Sequence, residues 1–228
     1  MKINTFHLKV LALLLMIVDH LAHFLVPASL PVYWVMRAIG RIAAPLFWYC
    51  FVTGLTHTTN RTRYISRLGI FAAIMAVGNT VISSVFNITS VGFLSPNIFL
   101  TMFLTALVIV CMEQAPKSKS IFAITWYLLS AITLGMLVHF CAEYGSIALI
   151  SILCLYFIRS KMLKYVLFVC ANILLCFLTN NLVQIFMILS VPIMLLCGSE
   201  KPKYSMKWLF YLFYPAHLWV LMIVSFLC

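Results

Sequence analysis

Nine apolar runs, separated by short polar loops, take up most of the chain and restrict it to one class of fold. The runs lie at residues 8–26, 32–55, 68–86, 97–112, 121–140, 145–158, 163–178, 182–197 and 207–227. About 20 apolar residues cross a bilayer as one helix, and two of the runs are short for that length. We therefore predict an all-α, polytopic transmembrane bundle of about nine helices, built as a single domain over residues 1–228.

The composition excludes a soluble domain. Hydrophobic residues make up 65% of the sequence and charged residues only 8%. A soluble chain of 228 residues could not bury that much apolar surface. The net charge of +11 does not require a nucleic-acid partner, because the positions of the basic residues explain it better.

Loops that contain lysine or arginine alternate with loops that contain neither. Thirteen of the 15 lie at the N-terminus and in the second, fourth, sixth and eighth loops, and the other loops have none. The basic residues of these segments are Lys2, Lys9, Arg61, Arg63, Arg67, Lys117, Lys119, Arg159, Lys161, Lys164, Lys201, Lys203 and Lys207. By the positive-inside rule, this pattern predicts a cytoplasmic N-terminus and an outer C-terminus.

Five ionisable residues lie deep inside the apolar runs, away from the ends, where a charge is expensive. Asp19 and His20 are in the middle of the first run, Arg37 and Arg41 are in the second, and His217 is in the last. At a rise of 1.5 Å per residue, all five lie roughly 9–15 Å below the predicted outer face. We therefore predict that they line a polar pocket in the outer half of the bundle.

Some of these residues could instead have a purely structural role. Asp19 and Arg41 could form an ion pair between the first two helices, and Arg37 could extend outward to the headgroups. His217 is harder to explain in this way. It follows Pro215, which frees a backbone carbonyl in the last helix.

The residue types fit two kinds of chemistry. A histidine that a carboxylate orients, here His20 with Asp19, can act as a general base. A nearby arginine can hold an anion or a developing oxyanion. This set suits acyl transfer from a thioester to an amine or hydroxyl, and it equally suits a proton-coupled transporter. Residue types alone do not separate the two.

Five short motifs occur in order along the chain. They are LMIVDH at 15–20, GRIAAPLF at 40–47, NIF at 97–99, YG at 144–145 and FYPAHL at 213–218. Together they resemble the TraX family of membrane acyltransferases, named for the enzyme that acetylates the N-terminus of conjugative pilin. The second motif departs from the family's G-R-x-A-F-P-L-F only in having alanine in place of the phenylalanine.

The resemblance implies a set of site residues, carried over at the matching positions. These positions are Asp19, His20, Arg41, Asn97, Tyr144 and His217. With their neighbours, we predict catalytic roles for His20, Asp19, Arg41 and His217, and substrate contacts for Asn97, Tyr144, Tyr214, Arg37 and Glu143. Arg37 lies outside the motifs, and Glu143 replaces an acid that is often aspartate in the family. The resemblance implies no metal.

The resemblance also implies a substrate class and a location. Acetyl-CoA or another acyl-CoA would be the donor, and a protein, peptide or glycan would be the acceptor, in the inner membrane of a bacterium. Basic loop residues, namely Arg61, Arg63, Arg67 and Lys207, could meet the donor's phosphates. A proton-coupled transporter or exporter is the alternative, and a non-catalytic membrane partner of a larger complex is a third reading.

Overall fold

The computed structural model describes residues 3–86, 97–198 and 207–227, with the side chain of Lys207 excepted. Within these ranges the chain is all-helical and has no β-strand. The helices are α1 (Thr5–Leu25), α2 (Pro31–Gly40), α3 (Ala43–His57), α4 (Arg61–Phe86), α5 (Ile98–Gln114), α6 (Ile121–Cys141), α7 (Gly145–Phe157), α8 (Lys161–Leu178), α9 (Ser190–Leu195) and α10 (Lys207–Leu227). Two 3-10 segments, Ala115–Lys117 and Leu182–Leu189, extend α5 and precede α9.

The helices coincide with the nine apolar runs, which confirms the prediction of an all-α transmembrane bundle. Seven segments of the described chain are long and apolar enough to cross a membrane, and α2 and α3 together form one of them. The two shorter apolar segments are Gly145–Phe157 and Leu182–Leu195. The orientation stays a prediction. Of the basic residues behind it, Lys2, Lys201 and Lys203 lie outside the described residues.

One predicted boundary is wrong. The third apolar run begins at residue 68, but α4 begins seven residues earlier at Arg61. Asn60 starts the helix, since its side-chain oxygen accepts from the backbone N–H of Arg63 at 2.8 Å and its carbonyl accepts from that of Tyr64 at 3.1 Å. Hydropathy marks the apolar part of a helix, whereas a polar first turn lies beyond it.

The core of the bundle forms around α1, which packs against α2, α3 and α10. Leu8 and Ala12 of α1 are fully buried, as are Trp48 of α3 and Phe168 of α8. In contrast, Val138 is the one fully buried side chain that the structure shows on α6. Helix α6 therefore lies at the periphery and presents its other faces to lipid.

The second membrane segment breaks between α2 and α3, next to Arg41. Pro45 lacks the N–H that a continuous helix would donate to the carbonyl of Arg41, so one helical hydrogen bond is missing at the break. Just before the break, α2 meets α1 very closely at Gly40. A β-carbon at this position would lie 2.3 Å from the Cβ of Asp19. Gly40 thus lets the two helices approach where their charged residues meet.

We expect Gly40→Ala to lower thermal stability, because the new methyl group would displace Asp19 or separate α1 from α2. Gly135→Ala is the matched control, since a β-carbon there would meet only the side chain of Leu149 at 3.5 Å. That control should be neutral or stabilising by up to about 1 kcal/mol, the usual gain of glycine-to-alanine inside a helix. Thermal unfolding of both variants in detergent measures the difference. Equal melting temperatures would contradict this packing account.

Candidate functional site

A polar cavity of about 480 Å³ lies between the C-terminal half of α1, α2, the α6–α7 turn, the end of α8 and α10. We call it the polar cavity. Seven of the nine predicted site residues line it: Asp19, His20, Arg37, Arg41, Glu143, Tyr144 and Tyr214. The structure therefore brings together residues from three distant parts of the sequence. Asn97 and His217 do not line the cavity.

Asp19 forms ion pairs with two arginines. Its Oδ1 lies 2.8 Å from Nη1 of Arg37, and its Oδ2 contacts Nη2 of Arg41. The side chains of Asp19 and Arg41 are each 6% exposed, so this pair is desolvated. The ion pair between Asp19 and Arg41, predicted as a structural interpretation, is therefore present, and Asp19 pairs with Arg37 as well. The carboxylate thus faces the arginines, and His20 forms its hydrogen bond with another residue.

The partner of His20 is His217. Nδ1 of His20 lies 2.8 Å from Nε2 of His217, whose own Nδ1 lies 2.8 Å from the carbonyl oxygen of Phe213. A carbonyl can only accept, so Nδ1 of His217 carries a hydrogen. In neutral His217 the Nε2 atom then accepts, and Nδ1 of His20 donates to it. Nε2 of His20 is left as the unprotonated nitrogen of the pair.

This arrangement separates the roles of the two histidines. His20 lines the polar cavity, whereas His217 lies behind it and stacks on Phe213, with ring centroids 5.1 Å apart. Of the five ionisable residues predicted to share one pocket, four line the cavity, and His217 joins them through its hydrogen bond to His20. By holding Nδ1 of His20, His217 fixes the tautomer of that ring, as a hydrogen-bond partner on the other ring nitrogen does for a metal-bound histidine.

The turn between α6 and α7 places Tyr144 over Arg41. Tyr144 and Gly145 both adopt left-handed backbone angles, with φ of 63° and 48°. A β-carbon at Gly145 would lie 2.9 Å from the carbonyl oxygen of His139, so glycine is required there. The resulting turn sets the Tyr144 ring 5.3 Å from Cζ of Arg41 and edge-on to Trp48 at 5.6 Å.

Glu143 joins the site to α5 and α10. The backbone N–H of Ile98 donates to the Tyr214 hydroxyl at 3.3 Å, and that hydroxyl donates to Oε2 of Glu143 at 3.4 Å. Burial raises the pKa of the Glu143 carboxyl to about 7, although the Arg41 guanidinium opposes the shift. The carboxyl therefore changes its charge near neutral pH.

Asn97, predicted to contact substrate, does not line the polar cavity. It is buried, and its side-chain oxygen accepts from the backbone N–H of Leu100 at 2.9 Å, which makes it the N-cap of α5. The carbonyl of Asn97 also accepts from Oγ1 of Thr101 at 3.1 Å. The NIF motif at 97–99 thus marks the start of α5, where the backbone N–H of Ile98 donates to the Tyr214 hydroxyl.

Sequence reasoning missed the far wall of the polar cavity. Thr179, Asn181 and Gln184 line it from the end of α8 and the 3-10 segment Leu182–Leu189. The side-chain oxygen of Gln184 is buried and has no hydrogen-bond partner. A 3-10 stretch of this length is uncommon and often marks a functional region. The polar residues at 179–181, between two apolar runs, and Gln184 inside the second of these runs were the available signal.

We expect Glu143 to make thermal stability depend on pH. An ordinary glutamate titrates near 4.5, whereas this one titrates near 7 when folded. The stability contributed by the protonated carboxyl is fully present below about pH 4.5 and is lost as the pH rises through about 7, on the order of 3 kcal/mol. The Glu143→Gln variant cannot ionise and should lack this loss.

The measurement is the melting temperature in detergent from about pH 5 to about pH 8. Glu113→Gln is the control, because Glu113 pairs with Arg61 and does not line the polar cavity. Parallel pH profiles for the wild type and Glu143→Gln would contradict the assignment.

The fold and the site define a class: a multi-pass membrane protein with a buried polar cavity built from histidine, arginine and carboxylate groups. The chain matches the TraX protein family over residues 5–225 and belongs to that family. The probable fimbrial assembly protein FimC (serogroup H1) of Dichelobacter nodosus is 34% identical to it over 71 residues, which are 31% of this chain and 29% of that protein. The match thus spans under a third of that relative's length. No solved structure matches the chain.

Proposed function

We propose that this protein is an integral-membrane acyltransferase that moves an acetyl or other short acyl group from a CoA thioester to an amine or hydroxyl. The observation that carries the proposal is the hydrogen bond between His20 and His217 at the wall of the polar cavity. It leaves Nε2 of His20 as a proton acceptor on a residue that lines the same cavity as buried Arg41. A base beside a fixed cation is what acyl transfer from a thioester needs.

The reaction follows from these groups. The acceptor's amine or hydroxyl attacks the thioester carbonyl carbon while Nε2 of His20 takes its proton. Arg41 stabilises the tetrahedral oxyanion, and Asp19 holds the arginine in place. The C–S bond then breaks, and protonated His20 returns the proton to the leaving thiolate. The products are the acylated acceptor and the free thiol.

The family and the relative suggest the acceptor. The TraX family is linked to pilin modification, and the D. nodosus relative is named a probable fimbrial assembly protein. We therefore propose the N-terminal amine of a pilin-like protein as the first acceptor to test. In the predicted orientation, the polar cavity lies in the outer half of the membrane, so the acceptor would reach it from the outer side.

The test is release of free CoA thiol from acetyl-CoA by the full-length protein in detergent, with pilin, peptide and glycan acceptors added separately. Acceptor-dependent release supports the proposal. A folded protein that releases no thiol with any of these acceptors would refute it. Proton uptake coupled to a solute in proteoliposomes, without thiol release, would favour the transporter.

A further inference from the structure

Three cavities follow one another along a single face of α1. An apolar cavity of about 140 Å³ is lined by Lys9 and Leu13, and a narrow cavity of about 20 Å³ by Met16 and His20. The polar cavity follows, lined by His20 and His23. These positions are three or four residues apart, so they share one face of the helix. The cavities therefore form a row through the bundle.

Helix α10 shows the same order. Phe210 and Tyr211 line the apolar cavity, and Leu218 lines the polar cavity. Tyr214 lies between them and lines all three. Its hydroxyl is held by Ile98 and Glu143, so its ring is fixed at the junction. A ligand that extended from the apolar cavity to His20 would pass this ring.

The apolar cavity carries two cations but no acid. Its walls are mainly aromatic and aliphatic, with Lys9 and Arg67 as the charged residues. Nζ of Lys9 lies 5.5 Å from the Phe210 ring, and Cζ of Arg67 lies 5.8 Å from the Tyr64 ring. Nε of Arg67 is buried without a hydrogen-bond partner. Neither cation is ion-paired with a carboxylate in the described part of the chain. A buried N–H without a partner, beside a second cation that no carboxylate neutralises, suits an anionic ligand.

We propose that the apolar cavity binds the phosphopantetheine arm of the donor, with Lys9 and Arg67 on its phosphate and the acyl thioester at His20. This inference rests on the proposed function and specifies its donor site. From Lys9 to His20 the α1 backbone rises about 17 Å. That distance matches the reach of an extended phosphopantetheine arm, whereas an inorganic anion bound at Lys9 would not reach the histidine. Coenzyme A and an acyl carrier protein both supply this arm.

The same geometry places the donor and the acceptor at opposite ends of the row. The apolar cavity lies at the end of the bundle where α1 and α4 begin, beside the basic residues in the first turns of α4. The polar cavity lies at the other end, with Thr179 and Asn181 on its wall. The narrow cavity at Tyr214 then limits passage between the two ends to the thioester and a short acyl group.

The experiment compares the binding of two probes, CoA and pantetheine, to the full-length protein in detergent by equilibrium dialysis. Pantetheine has the arm without phosphate. Arg67→Gln and Lys9→Gln should each weaken CoA binding by about 10-fold or more, the usual loss for a charge-assisted hydrogen bond, and leave pantetheine binding unchanged. Lys119→Gln is the matched control, because Lys119 is an exposed basic residue that does not line the cavity. Melting temperatures confirm that each variant is folded.

The outcomes separate this inference from the proposed function. If folded Arg67→Gln and Lys9→Gln bind CoA as tightly as Lys119→Gln does, the site assignment is wrong, while wild-type thiol release would still support the acyltransferase. If the wild type binds neither CoA nor a phosphopantetheinylated carrier protein, both proposals fail. Binding of the carrier protein alone, weakened by Arg67→Gln, supports the site and identifies its source.

Discussion

Replacing His20 with alanine should reduce acyl transfer by ~10²–10⁴-fold, the usual contribution of a general base. The reason is geometric. His20 lines the polar cavity, and its hydrogen bond to His217 leaves Nε2 free to take the acceptor's proton. Alanine removes that nitrogen without adding a buried polar group, so the variant should fold. Initial rates of thiol release at saturating acetyl-CoA measure the loss.

His217→Ala is the informative companion of this variant. Because His217 acts through His20, the His217→Ala variant should lose less of the transfer rate than His20→Ala does. The double variant should be no slower than His20→Ala alone. The pH profile of the rate should also change in His217→Ala, because the partner that sets the tautomer of His20 is gone. Near-normal rates for His20→Ala, or additive losses in the double variant, would contradict the assignment of base and positioning residue.

Arg41→Lys should lower the transfer rate by ~10²–10³-fold, the usual cost of losing an oxyanion donor. Arg41 contacts Asp19 with one nitrogen and lies over the Tyr144 ring, while its Nε is buried without a partner. A lysine keeps the charge but has no planar fork, so it cannot pair with Asp19 and face the substrate in the same way. The rate constant at saturation should fall more than the affinity for CoA.

Arg37→Lys is the matched control for this change. Arg37 pairs with the same carboxylate, but its side chain is 20% exposed and can extend toward solvent. Its replacement should therefore cost much less than that of Arg41. Equal losses in the two variants would show that the arginines serve only to neutralise Asp19. Thermal unfolding of both variants distinguishes slower chemistry from a weakened α1–α2 contact.

Hydropathy was sufficient to predict the fold class and the membrane segments. Each of the nine runs corresponds to one helical segment, and the two short segments are α7 and Leu182–Leu195. Hydropathy could not predict the break after Arg41. The sequence has Pro45 there, but proline in membrane helices is often accommodated without a break. Hydropathy also placed the start of α4 too late, since the polar first turn carries no hydropathy signal.

The sequence was sufficient to predict which residues form the site, but not which of them contact one another. Few ionisable residues lie deep in the apolar runs, so their predicted depth in the membrane was enough to assign Asp19, His20, Arg41 and His217 to one site. Which of them touch depends on the rotation of each helix about its axis, and the spacing of residues far apart in sequence does not give that. Asp19 was expected to orient His20, yet it pairs with the arginines of α2. The contact between His20 and His217 joins residues 197 positions apart.

Transfer of a labelled acetyl group from acetyl-CoA to an acceptor, followed by mass spectrometry in proteoliposomes, tests the central claim most directly. The wild type should place the label on an amine or hydroxyl of the acceptor and release one CoA thiol for each acetyl transferred. His20→Ala, equally folded and still able to bind CoA, should do neither at a measurable rate. A wild-type protein that binds CoA but labels no acceptor, or a His20→Ala variant that labels it at the wild-type rate, would contradict the account.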